Sequence, residues 1–254
     1  MTETLSMQLY SGRNFPPLAD QLRILSEAGY SDVETFSGLY NDLSGLKSAL
    51  DAANLSTTSG HYSFDLLENE YDRSLEIAGT LGHRILVLPY LMPDERPSDV
   101  GGWAGIGARV HKIAEKLKGE GLRCAWHNHD FEMRPLADGT TPLEHILGDD
   151  PAAVEWEADL AWVVRGDEDP VKWLQRYRGR IAALHVKDIA PAGQNKDEDG
   201  WADVGKGTLG WDRLWQAGRE AGAKLMIAEH DNPSDFRRFA TTSLAAMRAF
   251  AERT

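Results

Sequence analysis

The sequence contains a single cysteine, Cys124, among 254 residues, so an internal disulfide framework is excluded. It has no apolar run that approaches the roughly 20 residues of a membrane-spanning helix. Its N-terminus also lacks the basic region followed by an apolar one that marks a secretory signal. We therefore expect a soluble, cytoplasmic protein with no membrane partner. Cys124 lies beside Ala125 in an apolar run, and we interpret it as a small buried residue rather than a nucleophile.

Basic residues are also scarce, since 27 Lys and Arg stand against 40 Asp and Glu and the formal net charge is −13. Proteins that bind nucleic-acid backbones neutralise phosphates with clustered basic side chains. The deficit therefore argues against a nucleic-acid partner. No Gly-x-Gly-x-x-Gly sequence opens the first predicted helix, which disfavours a dinucleotide-binding fold.

What the sequence does contain is a repeated order of helical pattern, glycine and short apolar run. Glycine suits the left-handed position that ends a helix, and the short runs are typical of buried parallel strands. Eight β/α units in about 250 residues predict a closed (β/α)8 TIM barrel, an α/β fold, as a single domain over residues 1–254. The predicted strands are 5–10, 32–36, 55–62, 84–88, 122–127, 154–159, 181–186 and 225–229.

Ionisable side chains follow four of these strands where each one ends. Because the carboxyl ends of parallel strands meet at one face of a barrel, we expect these side chains to converge. Two carboxylates on one face of a buried strand, Glu157 and Asp159, repel each other unless a divalent cation or a lysine offsets their charge. Mixed imidazole and carboxylate ligands suit Mn, Mg, Co, Zn or Fe. The converging residues are His127, His129, Glu157, Asp159, His185, Lys187 and Glu229.

Polar residues that follow the remaining strands predict substrate contacts. We select His61, which lies at the end of the third strand, and Arg13, which follows the first; Glu34, in the second predicted strand, gives no strong signal by itself. Trp201, in the long loop 189–208, is our candidate for covering a sugar face. In the same loop, the Gly-Lys-Gly sequence at 205–207 before a helix resembles an anion-binding turn.

Five segments resemble the xylose isomerase-like barrel superfamily and, more narrowly, sugar phosphate isomerase/epimerase proteins: 126–132, 155–162, 185–188, 203–207 and 229–231. The resemblance covers essentially the whole chain. It implies one divalent metal ion (Mn, Mg, Co or Zn, with Mn preferred) held by a Glu, an Asp, a His and a second Glu. The last three carry over onto Asp159, His185 and Glu229. The first Glu falls on His127, so either His127 is a ligand or Glu157 replaces the missing carboxylate.

The same resemblance implies a metal-dependent isomerase, epimerase or lyase. Its substrate would be a small carbohydrate: a keto-sugar, an inositol ketone or a 3-keto-glycoside. Glu229 or His127 would remove the proton next to the carbonyl. His61, Lys187 and His129 would hold hydroxyls or protonate the leaving oxygen, and Glu157 would contact the substrate if it is not a ligand.

Two alternatives come from other classes of protein. An abasic-site endonuclease-like phosphodiesterase is disfavoured by the acidic charge. A non-catalytic sugar-binding barrel is disfavoured by the full set of three ligands that carry over. Barrels of this type often pair, which makes a homodimer possible here, but no sequence feature shows an interface.

Overall fold

The computed structural model describes residues 3–253. Its main sheet has eight strands that pair in the order β1-β10-β7-β6-β5-β4-β3-β2, and every pairing is parallel. These strands are β1 (Thr4–Met7), β2 (Thr35–Phe36), β3 (Ser59–His61), β4 (Ile85–Leu88), β5 (Arg123–His127), β6 (Glu155–Asp159), β7 (Ile181–Val186) and β10 (Leu225–Ala228). A short antiparallel hairpin, β8 (Asp188–Ile189) and β9 (Trp201–Ala202), follows β7.

The sheet closes between the segments that continue β1 and precede β2. Glu34 N donates to Met7 O at 2.9 Å, and Leu9 N donates to Glu34 O at 2.9 Å. Because these bonds join the two outer strands of the sheet order, no long edge is left open. The predicted closed α/β barrel is confirmed.

Helices surround the barrel, and most of them match the sequence pattern. Residues 64–81 form two helices, and the side-chain amide of Asn69 donates to Asp65 Oδ1 at 2.8 Å where the first of them ends. The helices are α1 (Leu18–Ala28), α2 (Leu43–Ala52), α3 (Phe64–Glu68), α4 (Tyr71–Leu81), α5 (Val100–Gly119), α6 (Pro142–Leu147), α7 (Leu160–Arg165), α8 (Pro170–Arg176), α9 (Trp211–Ala221) and α10 (Phe236–Arg253). None in the described part of the chain is long and apolar enough to cross a membrane.

Apolar side chains form two separate groups. The larger one fills the space between sheet and helices, as in any barrel whose strands are covered on the outside. The smaller one, which we call the lumen cluster, fills the inside of the barrel with β-branched and small residues. Its members are Ile85, Val87, Ala125, Ala182, Ala183, Leu225 and Ile227.

The loop after β7 is held in place by its own carboxylate. Asp188 accepts hydrogen bonds from the backbone N–H groups of Gly205, Gly207 and Leu209 at 3.0 to 3.2 Å. A Cβ atom at position 207 would overlap the Asp188 carboxylate, so glycine is required there. The turn that resembled an anion site therefore binds an anion supplied by the chain itself.

Candidate functional site

A cavity of about 510 Å³ opens at the carboxyl ends of the strands. Five of the predicted site residues line it: Arg13, His61, His127, His129 and Glu229. Aromatic and charged residues complete the wall: Tyr10, Phe36, Tyr90, Arg96, Asp130, Phe131, Trp162 and Asp231. The cavity therefore lies at the face of the barrel where the sequence predicted the chemistry to be.

Four predicted ligands meet at the floor of this cavity. One nitrogen or oxygen atom from each of His127, Asp159, His185 and Glu229 lies within 4.8 Å of the others. All four side chains are at most 4 % exposed. They come from the ends of four strands, β5, β6, β7 and β10, so their convergence follows from the parallel closed sheet.

The hydrogen bonding of this set is incomplete. His127 Nδ1 and Asp159 Oδ2 are buried and form no hydrogen bond; Glu157 Oε2 lies 3.3 Å from the first and Lys187 Nζ lies 3.7 Å from the second. A buried polar atom without a partner is rare and calls for an explanation such as an ion. Two imidazoles and two carboxylates in reach of one point are suitable ligands for a divalent cation. The residues present therefore fit the metal ion that the family resemblance implies.

A second set of side chains overlaps the first. His61, His127, Glu157 and His185 also have ligand atoms within 4.8 Å of one another. Glu157 Oε2 lies 2.7 Å from His61 Nε2, 3.1 Å from His185 Nε2 and 3.3 Å from His127 Nδ1. Because Glu157 already has imidazole partners, it is the less available of the two buried carboxylates on β6.

His185 belongs to both sets, and its two ring nitrogens face different carboxylates. Nδ1 lies 3.0 Å from Glu229 Oε2, on the side of the first set. Nε2 lies 2.9 Å from Glu34 Oε2 and 3.1 Å from Glu157 Oε2, on the other side. A carboxylate that accepts from one nitrogen of a histidine fixes the orientation of the other nitrogen.

Glu34 is a site residue that the sequence pattern did not identify. It is fully buried, and Gln8 Nε2 and Ser59 Oγ donate to its carboxylate at 2.7 and 2.5 Å. His61 Nε2 lies 3.1 Å from the same carboxylate. Only the closure of the barrel brings Glu34 beside His185, so spacing along the chain gives no signal for this contact.

Lys187 and Trp201 lie behind the cavity wall, and their predicted contact with substrate needs correction. Lys187 is fully buried and its Nζ lies 2.6 Å from Asp231 and 3.3 Å from Glu229. Trp201 is 1 % exposed and its ring lies 4.3 Å from Lys187 Nζ. The β8–β9 hairpin folds Trp201 inward, and Trp162 lines the cavity in its place. Glu157 is likewise fully buried beneath the lining.

Burial and neighbouring charges shift the pKa values of these groups in opposite directions. Burial lowers the pKa of His127 to about 4, and the charge of His185 adds to the effect. Burial also opposes the charge of His61, but Glu34 and Glu157 together raise its pKa to about 10. For Asp159, burial raises the pKa to about 7 against the influence of Lys187. His127 is thus neutral at pH 7, as a metal-binding imidazole must be. Against the effect of burial, Glu157 and Glu229 raise the pKa of His185 well above its usual value, so His185 must lose its proton to bind a metal.

Asn128 connects the two strands that carry His127 and Asp159. Its Oδ1 accepts from Trp156 Nε1 at 2.8 Å and from Asp159 N at 2.9 Å, and its Nδ2 donates to Asp159 O at 3.1 Å. In the segment His127-Asn128-His129, the sequence prediction used only the two histidines. The asparagine between them fixes the relative position of β5 and β6 at the site.

Comparisons with known proteins support the fold. A family model described as a xylose isomerase-like TIM barrel matches residues 22–250. An inosose dehydratase from Lacticaseibacillus casei is 22% identical over 250 residues, which cover 82% of each chain. A sugar phosphate isomerase/epimerase from Parabacteroides distasonis ATCC 8503 aligns with a TM-score of 0.82 at 22% identity, over 99% of this chain and 96% of that one. The IOLI protein, solved with a zinc atom, aligns with a TM-score of 0.72 at 14% identity, over 98% of both chains.

Proposed function

The chain belongs to the xylose isomerase-like TIM barrel family, and from that premise we propose that it is a divalent-metal-dependent lyase or isomerase. Its substrate would be a keto-sugar, an inositol ketone or a 3-keto-glycoside, and the reaction would begin with removal of a proton next to the carbonyl. The observation that carries this proposal is the meeting of four buried ligand atoms within 4.8 Å beneath an open cavity. The inosose dehydratase among the relatives acts in the same class of chemistry, which supports the choice.

His127, Asp159, His185 and Glu229 would hold the ion. When bound, the ion would polarise the carbonyl oxygen and offset the negative charge that develops on it. Zinc in the IOLI structure supports a metal in this fold, and Mn²⁺ remains our preferred ion for this chain. With His127 taking the place of the family's first Glu, Glu157 is free to orient His61 and His185 from below.

Glu229 is our candidate for the base. It lines the cavity, and Lys187 and His185 hold its Oε2 from behind at 3.3 and 3.0 Å. His127, the other ligand in the wall, is the alternative base. Lys187 would act by orienting Glu229 rather than by touching the substrate.

Removal of the proton leaves its electron pair delocalised onto the ketone oxygen. In a dehydration this pair becomes the new C=C bond, the C–O bond one carbon further along breaks, and the hydroxyl leaves with a proton as water. His61 lines the cavity and would supply that proton, because Glu34 and Glu157, against the effect of burial, raise its pKa to about 10 and keep it protonated at pH 7. His129 also lines the cavity and would hold the leaving hydroxyl, since burial lowers its pKa well below the usual value and leaves it neutral. In an epimerisation the proton would return to the opposite face of the same carbon.

The test is an assay of the purified protein on an inosose and on a 3-keto-glucoside, with added Mn²⁺, before and after chelation. We expect turnover that disappears with the metal and returns when Mn²⁺ is restored. Activity that is indifferent to chelation would contradict the proposal. Elemental analysis distinguishes a non-catalytic, metal-free barrel, and a duplex DNA binding assay at low salt tests the endonuclease alternative, for which we expect no binding.

A further inference from the structure

Two arginines on the cavity wall form no close ion pair, although the charge of Arg13 acts on Asp231 and that of Arg96 acts on Glu132. Arg13 donates from Nη1 to Tyr10 O at 3.1 Å, and Arg96 donates from Nε to Leu91 O at 3.0 Å. Within residues 3–253, no carboxylate lies within ion-pair distance of either guanidinium, which is notable in a chain with 40 acidic residues. Each guanidinium therefore keeps most of its N–H donors unused beside the cavity.

The acidic residues of the same wall are already neutralised. Asp130 pairs with Arg134 at 2.7 Å, and Asp231 pairs with Lys187 at 2.6 Å. Glu229 lies 3.3 Å from Lys187 and belongs to the proposed metal ligands. Once the proposed metal ion offsets Glu229, the charges of the wall that lack an ion-pair partner are those of Arg13 and Arg96, although the protein as a whole is acidic.

Aromatic rings hold both guanidinium groups in place. Arg13 lies 3.9 Å above the centre of the Tyr10 ring, and Arg96 lies 3.6 Å above that of Phe131 and 4.9 Å from that of Tyr90. Such stacking leaves the edge of the planar group free to form paired hydrogen bonds to a carboxylate or phosphate. Preorganised donors of this kind lose less conformational freedom on binding than a mobile lysine does.

The two arginines come from different parts of the rim. Arg13 follows β1, and Arg96 lies in the loop after β4, so they approach the cavity from separate strands of the eight-stranded barrel. Both lie above the floor formed by His127 and Glu229, in the same cavity. A substituent that projects outward from a sugar ring bound at the floor would point toward the rim on which both arginines lie.

We propose that Arg13 and Arg96 form a subsite for an anionic substituent, so that the natural substrate is an acidic keto-sugar, either a uronate or a sugar phosphate. This inference rests on the proposed function for the identity of the sugar ring. It gives the ring an orientation, with the reacting carbons toward His127 and Glu229 and the anion toward the rim. A neutral inositol ketone would leave the subsite unused.

The test measures binding and turnover separately. Calorimetric titration of the Mn²⁺-loaded protein uses three unreactive probes that lack the ketone: glucose, glucuronate and glucose 6-phosphate. We expect one of the anions to bind at least about tenfold more tightly than glucose, since hydrogen bonds to charged groups are the stronger kind. The carboxylate and phosphate arms identify which anion the subsite takes.

The variant Arg13→Gln/Arg96→Gln should remove this preference. The matched control is Arg178→Gln/Arg213→Gln, which removes two exposed arginines away from the cavity and should leave the preference intact. Equal binding of glucose and both anions would overturn the subsite, and so would a preference that survives in the Arg13→Gln/Arg96→Gln protein. A preference lost only in that variant, in a protein that turns over no keto-sugar, would support the subsite and contradict the proposed function.

Discussion

Two layers of the barrel interior are equally buried and chemically opposite. The lumen cluster is apolar and at most 4 % exposed. Above it lies what we call the charged layer, which is at most 7 % exposed: Glu34, His61, His127, Glu157, Asp159, His185, Lys187 and Glu229. In three strands the apolar residue of the lumen cluster and the ionisable residue of the charged layer are two positions apart: Ala125 and His127, Ala183 and His185, and Ile227 and Glu229.

This difference separates the residues that stabilise the barrel from those that serve its function. Burying apolar groups contributes about 0.8 kcal/mol per methylene, whereas burying charged groups costs free energy unless each has a partner. The charged layer still holds buried atoms without one, among them Asp159 Oδ2 and Glu157 Oε1. Such a layer is retained for what it binds, so substitutions in the two layers should affect different measurements.

The largest effect should come from Asp159→Asn. In the wild-type protein the N–H of Trp162 donates to Asp159 Oδ1 at 2.9 Å, and the oxygen of the asparagine amide can still accept this bond. The neutral amide is, however, a poor ligand for a cation. We expect loss of stoichiometric Mn²⁺ binding and of activity, measured by chelator competition and turnover. The melting temperature of the metal-free protein should not fall, because burial already disfavours the ionised carboxylate and raises its pKa to about 7.

The matched control for Asp159→Asn lies on the same strand. Glu155 pairs with Arg123 2.7 Å away and lies outside the charged layer, so Glu155→Gln should leave Mn²⁺ binding unchanged. If both variants lose the metal equally, strand β6 rather than the carboxylate of Asp159 is responsible.

Truncation in the lumen cluster should have the reverse effect. Ile85 lies on β4, which contributes no residue to the charged layer. Ile85→Ala should lower the free energy of unfolding by about 2–5 kcal/mol, the usual cost of such a cavity, while the Mn²⁺ affinity of the folded protein stays the same. Urea denaturation measures the free energy of unfolding, and chelator competition measures the Mn²⁺ affinity. Loss of metal affinity without loss of stability would remove the distinction between the layers.

Glu34→Gln tests a carboxylate that acts through His185. An outer partner of a metal-binding histidine typically contributes 10- to 100-fold, so we expect Mn²⁺ affinity to fall by roughly that factor. The ¹⁵N shifts of the His185 ring should change as well, since Glu34 Oε2 lies 2.9 Å from its Nε2. Glu68→Gln, at an exposed pair with Arg109, is the control that should change neither. Unaltered affinity and shifts in Glu34→Gln would rule out this role.

The smallest effect should come from Asp32→Asn, which changes a buried carboxylate outside the charged layer. Burial raises the pKa of Asp32 to about 6, while Ser56 and Thr58 donate to its Oδ2. Because the folded pKa exceeds the unfolded value, the contribution of Asp32 to stability should fall as pH rises from about 4 to about 6 and then level off. Asp32→Asn should remove that fall, gaining on the order of 1–2 kcal/mol at pH 8 and nothing at pH 4. A gain that is the same at both pH values would contradict this account.

The sequence predicted the barrel and the convergence of four candidate ligands, with His127 and Glu157 as alternatives for one of them, because both features depend on local order. Each ligand follows a short apolar run, and parallel strands bring their carboxyl ends together. The register of β6 with β7 places Asp159 beside His185, as that rule requires. The spacing of apolar residues and glycines was sufficient for eight of these units.

What the sequence could not predict depends on contacts between distant segments. Glu34 reaches His185 across 151 positions, only because the sheet closes. Trp201 follows a loop rich in glycine, and its burial results from the β8–β9 hairpin rather than from any hydrophobic run. The last part of the same loop folds back onto Asp188. The Asp188 carboxylate accepts hydrogen bonds from the backbone N–H groups whose sequence resembled an anion site.

The most direct test of the central claim is an anomalous difference map from a crystal of the Mn²⁺-loaded protein. The account predicts a single strong peak per chain, bonded to His127, Asp159, His185 and Glu229. A peak bonded instead to His61 and Glu157, or no peak within the barrel, would contradict it.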